Sequence, residues 1–150
     1  EYVVVPRRED FGLDADAVIA AAQQVLPDAE TRQSASFRED TIIDSNASTD
    51  PLLAGTIRVS RGEDDTVTDV TCSVTSEHGE LSPIIAFCIE LPVEGADIEN
   101  LRATMSQLFV TAPSGSTTSV RYPGASWYFS VDQYRPVVKD YWVSVAGRST

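Results

Sequence analysis

Two cysteines have the residue type and the spacing to form a disulfide bond. Cys72 and Cys88 lie in strand-like runs, residues 66–75 and 84–91, on either side of a turn-like segment around Glu80. If these runs pair as an antiparallel hairpin, Cys72 faces Cys88 at a Cα separation of about 4.5 Å, which a disulfide can bridge. Pro83 cannot donate a ladder hydrogen bond in this register, so residues 77–83 are predicted to be an exposed loop.

One face of this predicted hairpin would place polar side chains of one strand opposite apolar side chains of the other. The alternate face of residues 66–75 carries Thr and Ser, whereas that of residues 84–91 carries Ile and Phe. We therefore expect 84–91 to be a central strand and 66–75 to lie nearer an edge. A disulfide predicts an oxidising compartment, extracellular or in the cell envelope. The alternative is a pair of reduced, buried cysteines in a cytosolic protein.

Aromatic residues are crowded near the C-terminal end. Seven of the twelve lie within residues 122–142. Exposed Trp and Tyr stack on sugars or anchor protein interfaces, and Arg side chains interleave with these aromatics. The predicted ligand-binding residues are Trp127, Tyr128, Trp142, Arg121 and Arg135. The alternative is a sheet covered on both faces, in which the aromatics only fill the core.

Other residue types give weaker indications of chemistry. The lone histidine, His78, lies in the predicted loop without a nucleophile elbow anywhere in the chain. Acidic segments at 44–50 and 63–69 supply the oxygen ligands that calcium prefers, but neither has EF-hand spacing. No glycine-rich phosphate loop is present. We therefore predict no catalytic residue, no metal site and no cofactor, and the sequence favours a non-enzymatic role.

The charge balance excludes several classes of partner. The net charge of −12 argues against nucleic acids and anionic membranes, which need clustered Lys and Arg. No apolar stretch approaches the roughly 20 residues of a membrane span, so we expect no direct membrane insertion in this segment. Ten Arg against one Lys, with abundant Ala, Val, Asp and Thr, is typical of a GC-rich bacterium. If a signal or anchor exists, it lies upstream.

The elements that must position these residues alternate between helix and strand patterns. Apolar residues recur at helical spacing over about 14–26 and 98–109, with Asp14 or Asp16 and Asp97 as caps. Strand patterns cover 2–6, 41–44, 56–60, 66–75, 84–91, 119–122, 126–131 and 141–145. The order predicts a single α+β domain over 1–150, a mainly antiparallel sheet of about six to eight strands with two helices packed on it.

Function remains open between three interpretations. The first is a secreted or envelope-tethered bacterial domain that binds a protein, peptide or glycan through an aromatic C-terminal sheet surface. The second is a small hydrolase or isomerase with acidic residues in a cleft between sheet and helices. The third is an acidic intracellular inhibitor of a basic partner, for which strong negative charge provides steering.

Overall fold

A single antiparallel sheet forms the framework of the protein. The computed structural model describes residues 12–34, 40–62, 64–77, 79–136 and 138–147. Within them the strands are β1 (Glu30–Gln33), β2 (Asp40–Asp44), β3 (Gly55–Arg61), β4 (Val67–Ser76), β5 (Ser116–Arg121), β6 (Ala125–Arg135) and β7 (Val138–Gly147). Their order is β1-β2-β3-β4-β7-β6-β5. This confirms the α+β class and the predicted strand number. The strand predicted at 2–6 lies outside the described residues.

Two of the helices form where the apolar spacing predicts them. α1 (Ala15–Val25) is capped by Asp14, whose Oδ2 accepts from the Ala17 N–H at 2.9 Å. Asp97 caps the helix Ile98–Thr111 by accepting from the Asn100 N–H at 3.0 Å. Each cap satisfies a backbone donor that has no partner inside the helix. Both helical predictions are therefore confirmed.

The segment predicted as a central strand is a third helix, and the prediction for 84–91 was wrong. α2 spans Pro83–Ile89, which makes Ile98–Thr111 α3. Ser82 caps α2, its Oγ accepting from the Ile84 N–H at 3.1 Å, and Pro83 occupies the first helical turn. Proline suits that position because its missing N–H would be unpaired there anyway. Without a strand at 84–91, the predicted hairpin register is wrong as well. The predicted loop at 77–83 is also wrong, because Gly79–Leu81 is a short 3₁₀ helix that leads into α2.

The disulfide itself is confirmed, although it joins a strand to a helix. Cys72 of β4 is bonded to Cys88 of α2, with Cα atoms 6.2 Å apart and both residues fully buried. β4 is the central strand of the sheet rather than one nearer an edge. Gly55 of β3 lies under α2, where a Cβ would clash with the Ser73 carbonyl and lie 2.8 Å from Ile84 Cδ1. The absence of a side chain therefore lets α2 approach the sheet closely.

The helices cover one face of the sheet, so alternate residues of each strand enter the core. The buried strand residues share this face with the apolar sides of the three helices. On the central strands they are Ile57, Val59, Val70, Cys72, Val74, Trp127, Phe129, Val131, Tyr141, Val143 and Val145. Residues of opposite parity on the same strands form the second face. Among the described residues, no helix has the length and apolar character needed to cross a membrane.

Candidate functional site

The face opposite the helices carries the candidate site. Strand pairing aligns its residues in rows that run across the sheet. One row places Thr56 of β3 beside Ser73 of β4, Ser73 beside Trp142 of β7, and Trp142 beside Ser130 of β6. The next row runs through Arg58, Thr71, Ser144, Tyr128 and Ser119. Both rows thus combine hydroxyl side chains with one aromatic ring.

Hydroxyl side chains are numerous on this open face, alongside charged residues such as Arg58, Asp69 and Asp140. The hydroxyls belong to Thr56, Ser60, Thr71, Ser73, Thr75, Thr117, Ser119, Ser126, Ser130 and Ser144, which share the parity of Trp142 and Tyr128 in the strand registers. Some of them bond across strands: Thr71 to Ser144 at 3.2 Å, and Thr117 to Ser130 at 2.8 Å. Backbone groups within the sheet are engaged in the ladders, so recognition on this face depends on side chains.

A recess of about 190 Å³ opens beside Trp142. It exists because β3 begins at Gly55, so the residue beyond Val74 on β4, Thr75, has no partner on β3. The loop after β2 supplies the missing wall through Asn46. The recess is lined by Asn46, Thr56, Ser73, Val74, Thr75, Asp140 and Trp142. It therefore combines one aromatic ring with an amide, a carboxylate and three hydroxyls.

Hydrogen bonds hold the polar side chains of the recess in place. Asn46 Nδ2 donates to Thr56 Oγ1 at 3.2 Å. The Asn46 backbone N–H donates to Asp44 Oδ1 at 2.9 Å, which fixes the loop that carries the side chain. On the opposite wall, the Thr75 hydroxyl donates to Asp140 Oδ1. These contacts reduce the side-chain entropy that a ligand would otherwise have to remove on binding.

The structure separates the predicted ligand-binding residues. Trp127 has no exposed surface, and its Nε1–H donates to the Cys88 carbonyl at 2.9 Å, so it belongs to the core under α2. This placement corrects the expectation that Trp127 contacts a ligand. Trp142 and Tyr128 are partly exposed on the open face, in adjacent rows and on adjacent strands. Such diagonal neighbours have Cα atoms about 7–8 Å apart, within reach of one ligand.

Of the two predicted arginines, Arg121 is the one whose side chain the structure describes. Arg121 is exposed on the open face of β5, an edge strand, opposite Ser126. Strand spacing and rise place it about 17 Å from Trp142 but close to Tyr128. The side chain of Arg135 lies outside the described part of the structure, as does His78. A ligand-binding role for Tyr128, Trp142 and Arg121 stays a prediction.

The sequence reasoning missed the residues that surround Trp142. The sequence indicates Asn46 only as part of an acidic loop, and it assigns no ligand-binding role to Asp140, Thr56, Ser73 or Thr75. Alternation along the strands was a signal for three of them. Asp140 falls on the opposite face of its strand from Val143, and Ser73 and Thr75 fall on the opposite face from Val74. Asn46 could not be found this way because it lies in a loop.

A cavity larger than the recess lies on the helical side and has a different character. A groove of about 610 Å³ between α1 and α2 is mostly apolar, with Val18, Val25, Phe87 and Leu91 among its lining residues. Its two carboxylates already have partners: Asp14 caps α1, and Glu90 forms an ion pair with Arg102. Among the described residues, no three side chains of metal-ligating type converge. The groove therefore lacks paired, unengaged acids for hydrolysis.

Together, the fold and the open face define an α+β domain with helices on one face of its sheet and a polar, aromatic surface on the other. No protein family, curated protein or solved structure matches the chain.

Proposed function

We propose that this is a non-enzymatic binding domain that acts outside the cytoplasm, secreted or held in the cell envelope of a bacterium. Its ligand face is the open face of the sheet around Trp142 and Tyr128, and its ligand is a protein, peptide or glycan. The observation that carries this proposal is the pair of partly exposed aromatic rings on a sheet face that the helices leave uncovered. Aromatic residues in such positions are typical anchors of binding surfaces.

The disulfide supports the choice of compartment. Cys72 and Cys88 are fully buried and bonded, and structural disulfides of this kind persist in oxidising environments. Intact mass after alkylation without reductant tests this directly on protein purified from its native host. We expect no alkylated thiol. Two alkylated thiols would instead support the acidic intracellular inhibitor, for which the net charge of −12 is the main argument.

The enzymatic alternative receives less support from the groove between α1 and α2 and from the recess on the open face. Catalysis by two carboxylates requires acids that face a common substrate site. The carboxylates at the large groove, Asp14 and Glu90, are engaged in a helix cap and an ion pair. Asp140, beside an aromatic ring, is the single carboxylate among the lining residues of the recess that the structure describes. An aromatic surface with one acid favours binding.

Binding through the open face is tested with arrays of immobilised glycans and peptides. We expect any specific binding to be lost on Trp142→Ala and weakened on Tyr128→Ala. The matched control is Leu81→Ala, because Leu81 is also a large exposed side chain, 69% exposed, but lies on the 3₁₀ helix that leads into α2 rather than on the sheet. Binding that survives Trp142→Ala but is lost in the Leu81 variant would place the ligand surface elsewhere and refute the proposal.

A further inference from the structure

The recess beside Trp142 has the size and shape of a subsite rather than of an extended interface. Its volume of about 190 Å³ accommodates a single ring of hexose size. Trp142 forms one side, and Thr75 with Asp140 forms another. The partly exposed Trp142 therefore lies next to fixed polar groups, so that one ligand can contact the indole and the hydrogen-bonding partners together.

The chemistry of the lining matches a sugar. A pyranose carries C–H groups on its faces, which pack on an aromatic ring, and hydroxyls on its rim, which both donate and accept hydrogen bonds. Asp140 offers acceptors, Asn46 offers both an acceptor and donors, and Thr56, Ser73 and Thr75 offer hydroxyls. The bonds between Asn46 and Thr56 and between Thr75 and Asp140 orient these groups before a ligand arrives.

The same lining disfavours other ligands. None of the described residues that line the recess is cationic, so a phosphate, sulfate or carboxylate group would meet Asp140 without compensation from them. A peptide strand needs unpaired backbone groups to extend a sheet, but the recess lies on the face of the sheet, where the ladders engage the backbone. A lipid tail needs an apolar cavity, and the described lining contains just two apolar residues, Trp142 and Val74.

We infer that the recess is a subsite for one neutral sugar ring, which stacks on Trp142 and hydrogen-bonds to Asp140 and Asn46. This inference rests on the proposed function, because it names the ligand class of the same face. A ligand of about twelve non-hydrogen atoms with ordinary ligand efficiency gives a dissociation constant of roughly a millimolar. Tighter binding of a longer glycan then requires further contacts, for which Tyr128 is in position.

Nuclear magnetic resonance offers a direct test, because the chain has two indole groups in opposite environments. The Trp127 indole is buried and bonded to the Cys88 carbonyl, whereas Trp142 lines the recess. The ¹⁵N-labelled protein is titrated with neutral hexoses and N-acetylhexosamines and, in parallel, with uronic acids and sulfated sugars of the same ring size. We expect neutral sugars to shift the Trp142 indole signal while the Trp127 signal stays in place.

Variants then assign the contacts. Asp140→Asn removes a charged acceptor, and we expect affinity to fall at least about tenfold, the range for hydrogen bonds to charged groups. Trp142→Ala should abolish measurable binding. The control is Asp132→Asn, because Asp132 is the β6 partner of Asp140 on the same face but does not line the recess. It should bind the sugar within twofold of the wild type. Circular dichroism verifies that each variant is folded.

Two results overturn the inference. One is the absence of any Trp142 shift with neutral sugars at concentrations about twentyfold above a millimolar. The other is stronger binding of the acidic sugars than of the neutral ones. If the open-face variants still remove the binding of a peptide or protein, the proposed function survives and only the sugar assignment fails. If Trp142→Ala changes the binding of no array ligand, both fail together.

Discussion

Replacing Trp127 by Phe measures how much of the fold depends on one buried indole. Trp127 packs under α2 with no exposed surface, edge-on to Tyr122 at 5.8 Å between ring centres, and its Nε1–H donates to the Cys88 carbonyl at 2.9 Å. That carbonyl lies in the last turn of α2, where helix carbonyls have no intrahelical partner. Phe keeps an aromatic ring but leaves the carbonyl buried and unsatisfied, at a cost of about 1–3 kcal/mol.

The smaller ring adds a packing loss. Removing buried volume without full collapse costs on the order of 1 kcal/mol for a change of this size. The free energy of unfolding should therefore fall by about 2–4 kcal/mol in Trp127→Phe. Urea unfolding followed by far-ultraviolet circular dichroism measures it without depending on the fluorescence of the residue that was changed. The matched control is Trp142→Phe, the same substitution on the open face.

Trp142 is partly exposed, and surface substitutions away from special features change stability by about 0.5 kcal/mol or less. The two variants should therefore differ strongly in stability. Ligand binding should show the reverse. Trp127→Phe should leave binding intact under conditions where the protein is folded, whereas Trp142→Phe should weaken it. Equal losses of stability in both variants would contradict the division of the sheet into a core face and an open face.

Three further predictions concern the core and the layer of helices. Replacing both cysteines by Ala should lower the free energy of unfolding by roughly 3 kcal/mol, since the bond closes a loop with a sequence separation of 16, and calorimetry checks this. Burial, then the charge of Glu80 and its hydrogen bond, raises the pKa of Tyr141 from 10.0 to about 12. The protonated phenol is therefore favoured in the folded state, and its contribution to stability, complete below pH 10, should disappear as the pH rises to 12. Tyr141→Phe should flatten that part of the stability profile, and an unchanged profile would contradict the assignment. Gly55→Ala should destabilise by about 1–3 kcal/mol through the clash with the Ser73 carbonyl, whereas an equal melting temperature would show that α2 can move away.

The sequence predicted α1, α3 and β3, in each of which the buried residues lie on one face. Apolar spacing and an aspartate cap predict α1 and α3, and the alternation of Ile57 and Val59 with polar residues predicts β3. The buried residues of α2, Ile84, Ile85, Cys88 and Ile89, also recur at helical spacing, but the sequence does not show it because every residue of this short run is apolar. A brief apolar run does not distinguish helix from strand. The Ser82–Pro83 pair was the available signal, since it is typical of a helix start.

β1 was missed for the opposite reason. All four of its residues, Glu30–Gln33, are exposed at the edge of the sheet, so burial imposes no pattern on them. Its pairing with β2 is held by the backbone ladder and by an ion pair of Arg32 with Asp44 at 3.2 Å. Hydrophobic patterning cannot reveal a strand without a buried face.

The site was half predictable, because alternation along the strands separates the two faces of the sheet but does not reveal the recess. Trp127 and Trp142 appear equivalent as strand tryptophans, yet Trp127 shares its parity with Phe129 and Val131, and Trp142 with Asp140 and Ser144. The face with the unbroken apolar set is the one that must be buried. Read in this way, the sequence places Trp142 on the open face. The recess itself depends on where β3 begins and on the position of Asn46, which only the tertiary structure gives.

Because of the same alternation, the residues proposed to bind the ligand differ from those that stabilise the core. Cys72 points to α2 and carries the disulfide, while its neighbour Ser73 lines the recess on the other side of β4. Tyr141 and Val143 lie in the core on either side of Trp142 along β7. Because the ladders of β3, β4 and β7 hold the recess residues in register, loss of the disulfide should weaken the attachment of α2 without moving Ser73 relative to Trp142. A reduced but folded protein should therefore retain ligand affinity. If affinity fell together with stability on reduction, the helices would have to shape the recess.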